Sequence, residues 1–281
     1  MAILPSQAEY IARICNENNI NGSVITMGRT DVFVTLPELT TILKNLGIVY
    51  EDHEGLEFKD INRGKKANEL IKANKHLRKS CGNQRVIGEY AITDEFFFNS
   101  LGFDIIQCID LNPNAGRPTI VFDMNERDIL QATNNMKYDA VIDTGVMEHV
   151  FDIRSFLLNC TDLAKDNGHL IHVMISNNTM DHGFYQFSPT LFKDYYTANK
   201  YRVIDITLLE LSENKFIPTD SPWIKRWEFY RTWKYDHNLF SKNSFGQLSS
   251  SIYYTMMCAQ KIPGCERNIA PQQDRKGLLP W

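Results

Sequence analysis

The feature that most restricts this chain is a series of short apolar runs, SVITM (23–27), DIIQCI (104–109), TIVF (119–122), DAVID (139–143) and HLIHVMI (169–175). Most are β-branched and apolar at both alternating positions, so each needs cover on both faces, which is the condition of a buried parallel sheet. Between the later runs lie the helical patterns TDEFFFNSLG, ERDILQATNN and FDIRSFLLNCTDLAK, and after the fifth comes SPTLFKDYYTANK, with Ser188 and Pro189 suited to N-cap and first-turn positions. This is βαβ punctuation. Two further runs, RVIDITLLEL (202–211) and SIYYTMMCAQK (251–261), bring the expected sheet to seven strands, mostly parallel and flanked by helices in an α/β fold.

Two stretches interrupt the alternation. Residues 31–90 follow the first strand and include the basic, polar NRGKKANELIKANKHLRKS, which reads as an exposed helix; residues 212–250 separate the last two strands. Within the second, Trp223, Trp227 and Tyr230 fall at helical spacing, with Phe229, Trp233 and Phe240 on another side and Lys225, Arg226, Arg231 and Lys234 between them. That pattern predicts a helix serving as a lid or a subunit contact in a homo-oligomer. The expected organisation is one domain over 1–262, with insertions at 31–90 and 212–250, and a loosely held tail over 263–281.

Composition narrows the partners. With 30 basic and 34 acidic side chains the net charge is -4, which gives no general attraction to nucleic acid or an anionic membrane. No apolar run approaches the roughly 18 residues of a membrane helix, and MAILPSQAEYIARIC lacks the pattern of a secretory leader, so the expected location is cytoplasmic. The six cysteines show no C-x-x-C spacing and no Cys/His cluster, so structural thiols are expected and no metal is implied.

Ligands of open parallel sheets bind beyond the carboxyl ends of the strands. There the second, third and fourth runs end in Asp110, Asp123 and Asp143, and Gly145 follows two residues after the last. A carboxylate at the tip of the second strand can accept both hydroxyls of a ribose. Each of these Asp residues can equally cap the turn that follows it.

FNSLGFDIIQCIDLNP, IVFDMN, YDAVIDTGVMEHVFD, DNGHLIHVMISN and HGFYQFSP together resemble the class I S-adenosylmethionine-dependent methyltransferases, over about residues 92–262. The likeness is to the small-molecule branch with EHV after the fourth strand, and HGFYQFSPTLF is similar to a segment of surface-glycan methyltransferases. The resemblance implies a Rossmann-like methyltransferase fold and S-adenosylmethionine as cofactor. It further implies methyl transfer to an oxygen, in second place a nitrogen, of a small polar molecule or glycan precursor. It assigns Asp110 to the ribose diol, Leu111 to the adenosine, Asp123 to the adenine amino group and Met124 to the base. Asp143, Thr144 and Gly145 would line the methionine half, and Glu148 and His149 would face the transfer site.

The family's glycine-rich first loop is reduced here to Gly28, followed by Arg29, Thr30 and Asp31. Arg29 can pair with the cofactor's carboxylate or with Asp31, and further contacts can come from Gly82, Gly88, Tyr90 and Asp94. His182, beside Asp181 and Gly183, is a candidate general base along with His149, whereas His172, alternating inside its strand, reads as a core residue. Tyr185, Gln186 and Phe187 offer an aromatic and amide wall to a polyhydroxyl acceptor; Phe184 and Phe187 can instead fasten the next helix to the core. Two other classes compete. A nicotinamide-dependent oxidoreductase or epimerase needs G-x-G-x-x-G after the first strand, which is absent. A non-catalytic binding or scaffold protein of the same fold would explain the reduced loop.

Overall fold

A computed structural model of the chain describes residues 2–52, 55–58, 66–73, 92–113, 119–212, 229–236 and 251–272. The main sheet starts with β2 (Gly22–Met27), where β-branched side chains favour an extended backbone. It continues through β6 (Phe103–Asp110), β7 (Thr119–Val121), β8 (Tyr138–Asp143) and β9 (Ala164–Asn177), each parallel to its neighbour. β10 (Arg202–Ser212), β11 (Phe229–Lys234) and β12 (Ile252–Gln260) complete it in antiparallel fashion. The order is β11-β10-β12-β9-β8-β2-β6-β7. From β2 the chain winds outward to β6 and β7, then returns to β8 on the other side, so the winding reverses between β2 and β8. Such a reversal opens a crevice at the carboxyl ends of the strands. The layout is the Rossmann-like one expected, with eight strands in place of seven.

The eighth strand is β11, and it replaces part of the expected aromatic helix. Residues 229–234 pair with β10 from Ser212↔Phe229 to Thr207↔Lys234. Trp233 meets the Tyr253 ring edge-on at 6.3 Å, while Tyr230 and Arg231 are exposed. Aromatic and β-branched residues suit a half-covered edge strand as well as a helix, so Tyr230 and Trp233 satisfied both periods. Trp223, Lys225, Arg226, Trp227 and Phe240 lie outside the described residues.

Helices cover both faces. Along β2 and β8, Val24, Ala140 and Ile142 belong to one apolar layer and Ile25, Met27 and Val141 to the other, which is the two-residue alternation of a strand. The first layer includes α1 (Pro5–Glu17), an element the sequence reading did not anticipate, and α4 (Asp94–Ser100). The second includes α5 (Ile129–Ala132), α6 (Ile153–Leu163) and α7 (Pro189–Ala198), whose cap Ser188 accepts the Thr190 N–H.

Part of the 31–90 insertion is built from a few small elements. β3 (Asp31–Val32) pairs in parallel with β1 (Ala2–Ile3), beside the tip of β2. Then come α2 (Leu36–Asn45), a hairpin of β4 (Val49–Asp52) and β5 (Gly55–Phe58), and α3 (Ala67–Ala73). α2 starts at a reciprocal cap: Thr35 N–H donates to Glu38 Oε2 at 2.7 Å, and Glu38 N–H donates back to Thr35 Oγ1 at 3.4 Å. α3 occupies the middle of the basic stretch read as an exposed helix, but its Leu70 is buried against the core. Gly82, Gly88 and Tyr90 lie outside the described residues.

The tail expected to be loose is pinned over its described part. Asn199 Nδ2 donates to Ile269 O at 2.9 Å, Ile269 N–H donates to Asn199 Oδ1 at 2.8 Å, and Arg267 pairs with Asp162. No disulfide joins the described cysteines to one another, and Cys15, Cys108, Cys160 and Cys258 are buried. Burial pushes the Cys160 and Cys258 thiols up, so they remain protonated packing groups. Among the described residues no helix is long and apolar enough to cross a membrane.

Candidate active site

The crevice begins where the chain leaves β2. Gly28 takes φ +68°, and its N–H donates to Ile109 O at 2.6 Å, folding the backbone toward the tip of β6. Asp110 then joins the two tips. Its Oδ2 accepts Arg29 N–H at 3.2 Å and its Oδ1 accepts Asn112 N–H at 2.9 Å. A carboxylate carries about four lone-pair sites, so each oxygen keeps one for a further donor. Leu111, next along, is 66% exposed at the mouth. Asp123 Oδ1 accepts both the backbone N–H (2.9 Å) and the side-chain amide (2.8 Å) of Asn125, closing a turn after β7.

Three residues assigned to the ligand are taken up by the fold. Asp143 is wholly buried: Oδ1 accepts Val146 N–H at 2.8 Å and Gly145 N–H at 3.3 Å, and Oδ2 lies 3.5 Å from His172 Nδ1. Its carboxylate fixes the turn after β8 and faces inward, so it does not line the crevice. Met124 and Phe187 are also buried in the second apolar layer, Phe187 donating its N–H to Ile175 O at 2.7 Å. Phe187 thus packs with Phe192 of α7 in the core, the alternative given for it above. Thr144 is buried, with Oγ1 3.2 Å from Thr30 Oγ1, and Gly145 takes φ +106°. Asp94 sits in the first turn of α4, accepting Glu95 N–H at 2.9 Å.

Beyond Gly145 a single helical turn, Met147–His149, carries Glu148 and His149. Glu148 is 1% exposed, and its Oε2 has no hydrogen-bond partner among the described residues. Burial, and then the nearby Asp143 carboxylate, push its carboxyl up to about 8. The loop after β9 folds onto this turn, with Phe184 N–H donating to Glu148 O at 2.7 Å. Gly183 (φ +100°) permits the approach: a Cβ there would stand 2.8 Å from Glu148 O. The fold thereby brings His182 to His149, ring centres 5.3 Å apart, and His149 Nε2 to 3.9 Å from Glu148 Oε1. The carboxylate brought to the imidazoles is Glu148; Asp181 is exposed at the loop's bend with φ +63°. Burial, and then His182, lower the His149 imidazole, which is therefore neutral at pH 7.

An apolar rim completes the mouth. Phe151 (71% exposed) and Phe184 (64% exposed) meet edge-on at 5.8 Å, and Tyr185 Oη donates to Phe151 O at 3.0 Å. Gln186 Oε1 accepts Thr179 N–H at 3.3 Å. Phe151 was missed in the sequence, although an aromatic directly after EHV was signal enough to include it. Tyr254 of β12 was missed as well. Burial, then Glu148, push its phenol up to about 12, so a neutral phenol stands near Glu148. His172 is the core residue expected, with Nε2 2.6 Å from Tyr196 Oη and its ring stacked on Phe192.

No family model matches the chain, and no curated protein matches it. Among solved structures it is similar to the Burkholderia thailandensis 1,6-didemethyltoxoflavin-N1-methyltransferase with bound 1,6-didemethyltoxoflavin and S-adenosylhomocysteine. That match has 12% identity and a TM-score of 0.39, covering 91% of this chain and 78% of that one. A SAM dependent methyltransferase from Archaeoglobus fulgidus is similar at 11% identity and a TM-score of 0.41, over 90% of this chain and 94% of that one. The N-methyltransferase NodS from Bradyrhizobium japonicum WM9 is similar at 11% identity and a TM-score of 0.33, over 57% and 75%.

Proposed function

We propose that the chain is an S-adenosylmethionine-dependent methyltransferase acting on an oxygen, in preference to a nitrogen, of a small polar molecule or glycan precursor. The observation that carries this reading is Asp110. It stands at the tip of β6 beside the point where the winding reverses, tied to the backbone after Gly28, with lone pairs left for a ribose diol. The donor set suits a nucleoside: exposed Leu111 offers an apolar face next to Asp110, and Asp123 stands at the neighbouring tip for an exocyclic amine.

The bound cofactor supplies an activated methyl group on a sulfonium, so the protein's work is orientation and removal of the acceptor's proton. Asp110 and Asp123 hold the nucleoside end, and the backbone at Gly28 and Gly145 borders the other end. Glu148, His149 and His182 lie on the acceptor side. A neutral His149 can accept the proton of a hydroxyl whose oxygen takes the methyl. Tyr185, Gln186, Phe184 and Phe151 form the mouth, where an acceptor with a polar and an apolar face would rest.

The test is calorimetric titration of the purified chain with S-adenosylmethionine and, in parallel, NAD. The expected result is micromolar affinity for the sulfonium compound, about -8 kcal/mol, and none for NAD. Binding of NAD alone would move the chain to the oxidoreductases. Binding of neither would leave a non-catalytic protein of this fold.

A further inference from the structure

The group in this crevice least explained by methyl transfer is Glu148. Its side chain is enclosed, and its Oε2 has no hydrogen-bond partner among the described residues. A buried carboxyl oxygen of this kind is ordinarily completed by a positive or donating partner. Two imidazoles stand in front of it. One ligand atom from each of Glu148, His149 and His182 lies within 4.8 Å of the other two, and no other group of metal-ligating side chains this close occurs among the described residues.

We propose that Glu148, His149 and His182 form a binding site for a divalent transition-metal cation of the zinc class, with its remaining coordination positions open to the crevice. Two imidazoles and one carboxylate are the donors of such sites, whereas magnesium and calcium favour oxygen donors. With metal–ligand bonds of about 2.1 Å, neighbouring donors around an ion lie about 3.4 Å apart. The 3.9 Å between Glu148 Oε1 and His149 Nε2 is already near this value. The remaining closure falls on rings free to make it, since both histidines are exposed while Glu148 is held by burial. Gly183 holds the loop bearing His182 against Glu148 by the close approach described above. With the ion bound, the His149 lone pair is committed to it, and an acceptor hydroxyl coordinated at an open position would lose its proton to water more readily. The site stands independently of the methyl-transfer reading, because it needs only the three side chains.

The full chain, stripped with a chelator, is titrated with ZnCl2 and separately with MgCl2 by calorimetry, and its Co²⁺ form is followed by visible absorption. One zinc equivalent should bind at this site, with magnesium weaker by a hundredfold or more. His149→Ala, His182→Ala and Glu148→Gln should each lower zinc affinity tenfold or more and remove the Co²⁺ bands, while Cys265→Ser leaves both unchanged. The two histidines are exposed, so their variants should keep the wild-type far-ultraviolet circular dichroism. Absence of zinc binding overturns the proposal, as does equal zinc affinity in either histidine variant. Titration with S-adenosylmethionine in the presence of chelator reports on the methyltransferase reading separately.

Discussion

Near the amino end of β8, Asp139 accepts Ser23 N–H at 2.8 Å, Ser23 Oγ–H at 2.6 Å and Lys165 Nζ at 2.8 Å. Past the carboxyl end, Glu148 is more deeply enclosed and lacks a hydrogen-bond partner for Oε2 among the described residues. The two carboxyls are displaced in opposite directions. Burial pushes Asp139 up, but its bonds from Lys165 and Ser23 outweigh this and hold it below the usual range, whereas burial and Asp143 raise Glu148. One end of the strand is closed by completed contacts; past the other stands a buried carboxyl whose Oε2 lacks a hydrogen-bond partner among the described residues. Asp143, at the carboxyl tip of the same strand, sides with Asp139, so it is the completed bonds and not the position alone that set Glu148 apart.

The comparison breaks if changes at the carboxyl end act mainly on stability, or changes at the amino end act on ligands. The largest expected effect is that of Asp110→Ala: affinity for S-adenosylmethionine should fall a hundredfold or more, about 2.7 kcal/mol. Freeing the Arg29 and Asn112 N–H groups should cost only about 1 kcal/mol of stability. Unchanged affinity by calorimetry would remove Asp110 from the ligand.

The next effect is one of pH at the amino end. Burial, and then Arg202, hold the His169 imidazole down at about 4, so it folds neutral while the unfolded chain takes up a proton near 6.5. Its contribution is intact above pH 6.5 and is lost as the pH falls toward 4. The loss is roughly 2 kcal/mol, reduced from the full shift because residual solvent screens the site. Urea midpoints between pH 4 and 7 should show this slope, and His169→Gln should flatten it.

The smallest effects sharpen the contrast most directly. Asp139→Asn should cost about 1–2 kcal/mol, because a charge-assisted bond from Lys165 is lost. Glu148→Gln should instead add roughly 2 kcal/mol of stability at neutral pH, because the folded chain no longer holds a carboxyl raised to about 8 against its unfolded value. Equal destabilisation by the two in urea titrations would contradict the division of labour.

The same division governs how much could be read from the sequence. Strands covered on both faces announce themselves by composition, and the tips of β6, β7 and β8 could be marked by Asp110, Asp123 and Asp143 without a structure. α7 was legible through Ser188 and Pro189, which act locally. What was not legible depended on tertiary choice. Trp233 fits helix and strand patterns alike until its partner strand is known, whereas α1 was passed over although Pro5 and the helical spacing of Ala8, Ile11, Ala12 and Cys15 mark it locally. Asp143 and Asp110 look alike as residues at strand tips, yet the turn from Asp143 to Val146 draws one carboxylate inside. His149 and His182 were each visible as candidates, but their meeting over Glu148 is produced by a loop that folds back at Gly183. Chain spacing carries no record of that.

The imidazole under the crevice has an experimental use. Burial pushes the Tyr196 phenol well above its ordinary range, and this neutral hydroxyl stands 2.6 Å from His172 Nε2, while Nδ1 lies 3.5 Å from Asp143 Oδ2. His172 is thus tied at both ring nitrogens, packed on Phe192 and joined through Asp143 to the turn that leads to Glu148. Its ring-nitrogen resonances form a built-in spectroscopic probe. Whatever displaces that turn from above, a cofactor, an acceptor or an ion, will register at a single nucleus below it with no label placed in the crevice.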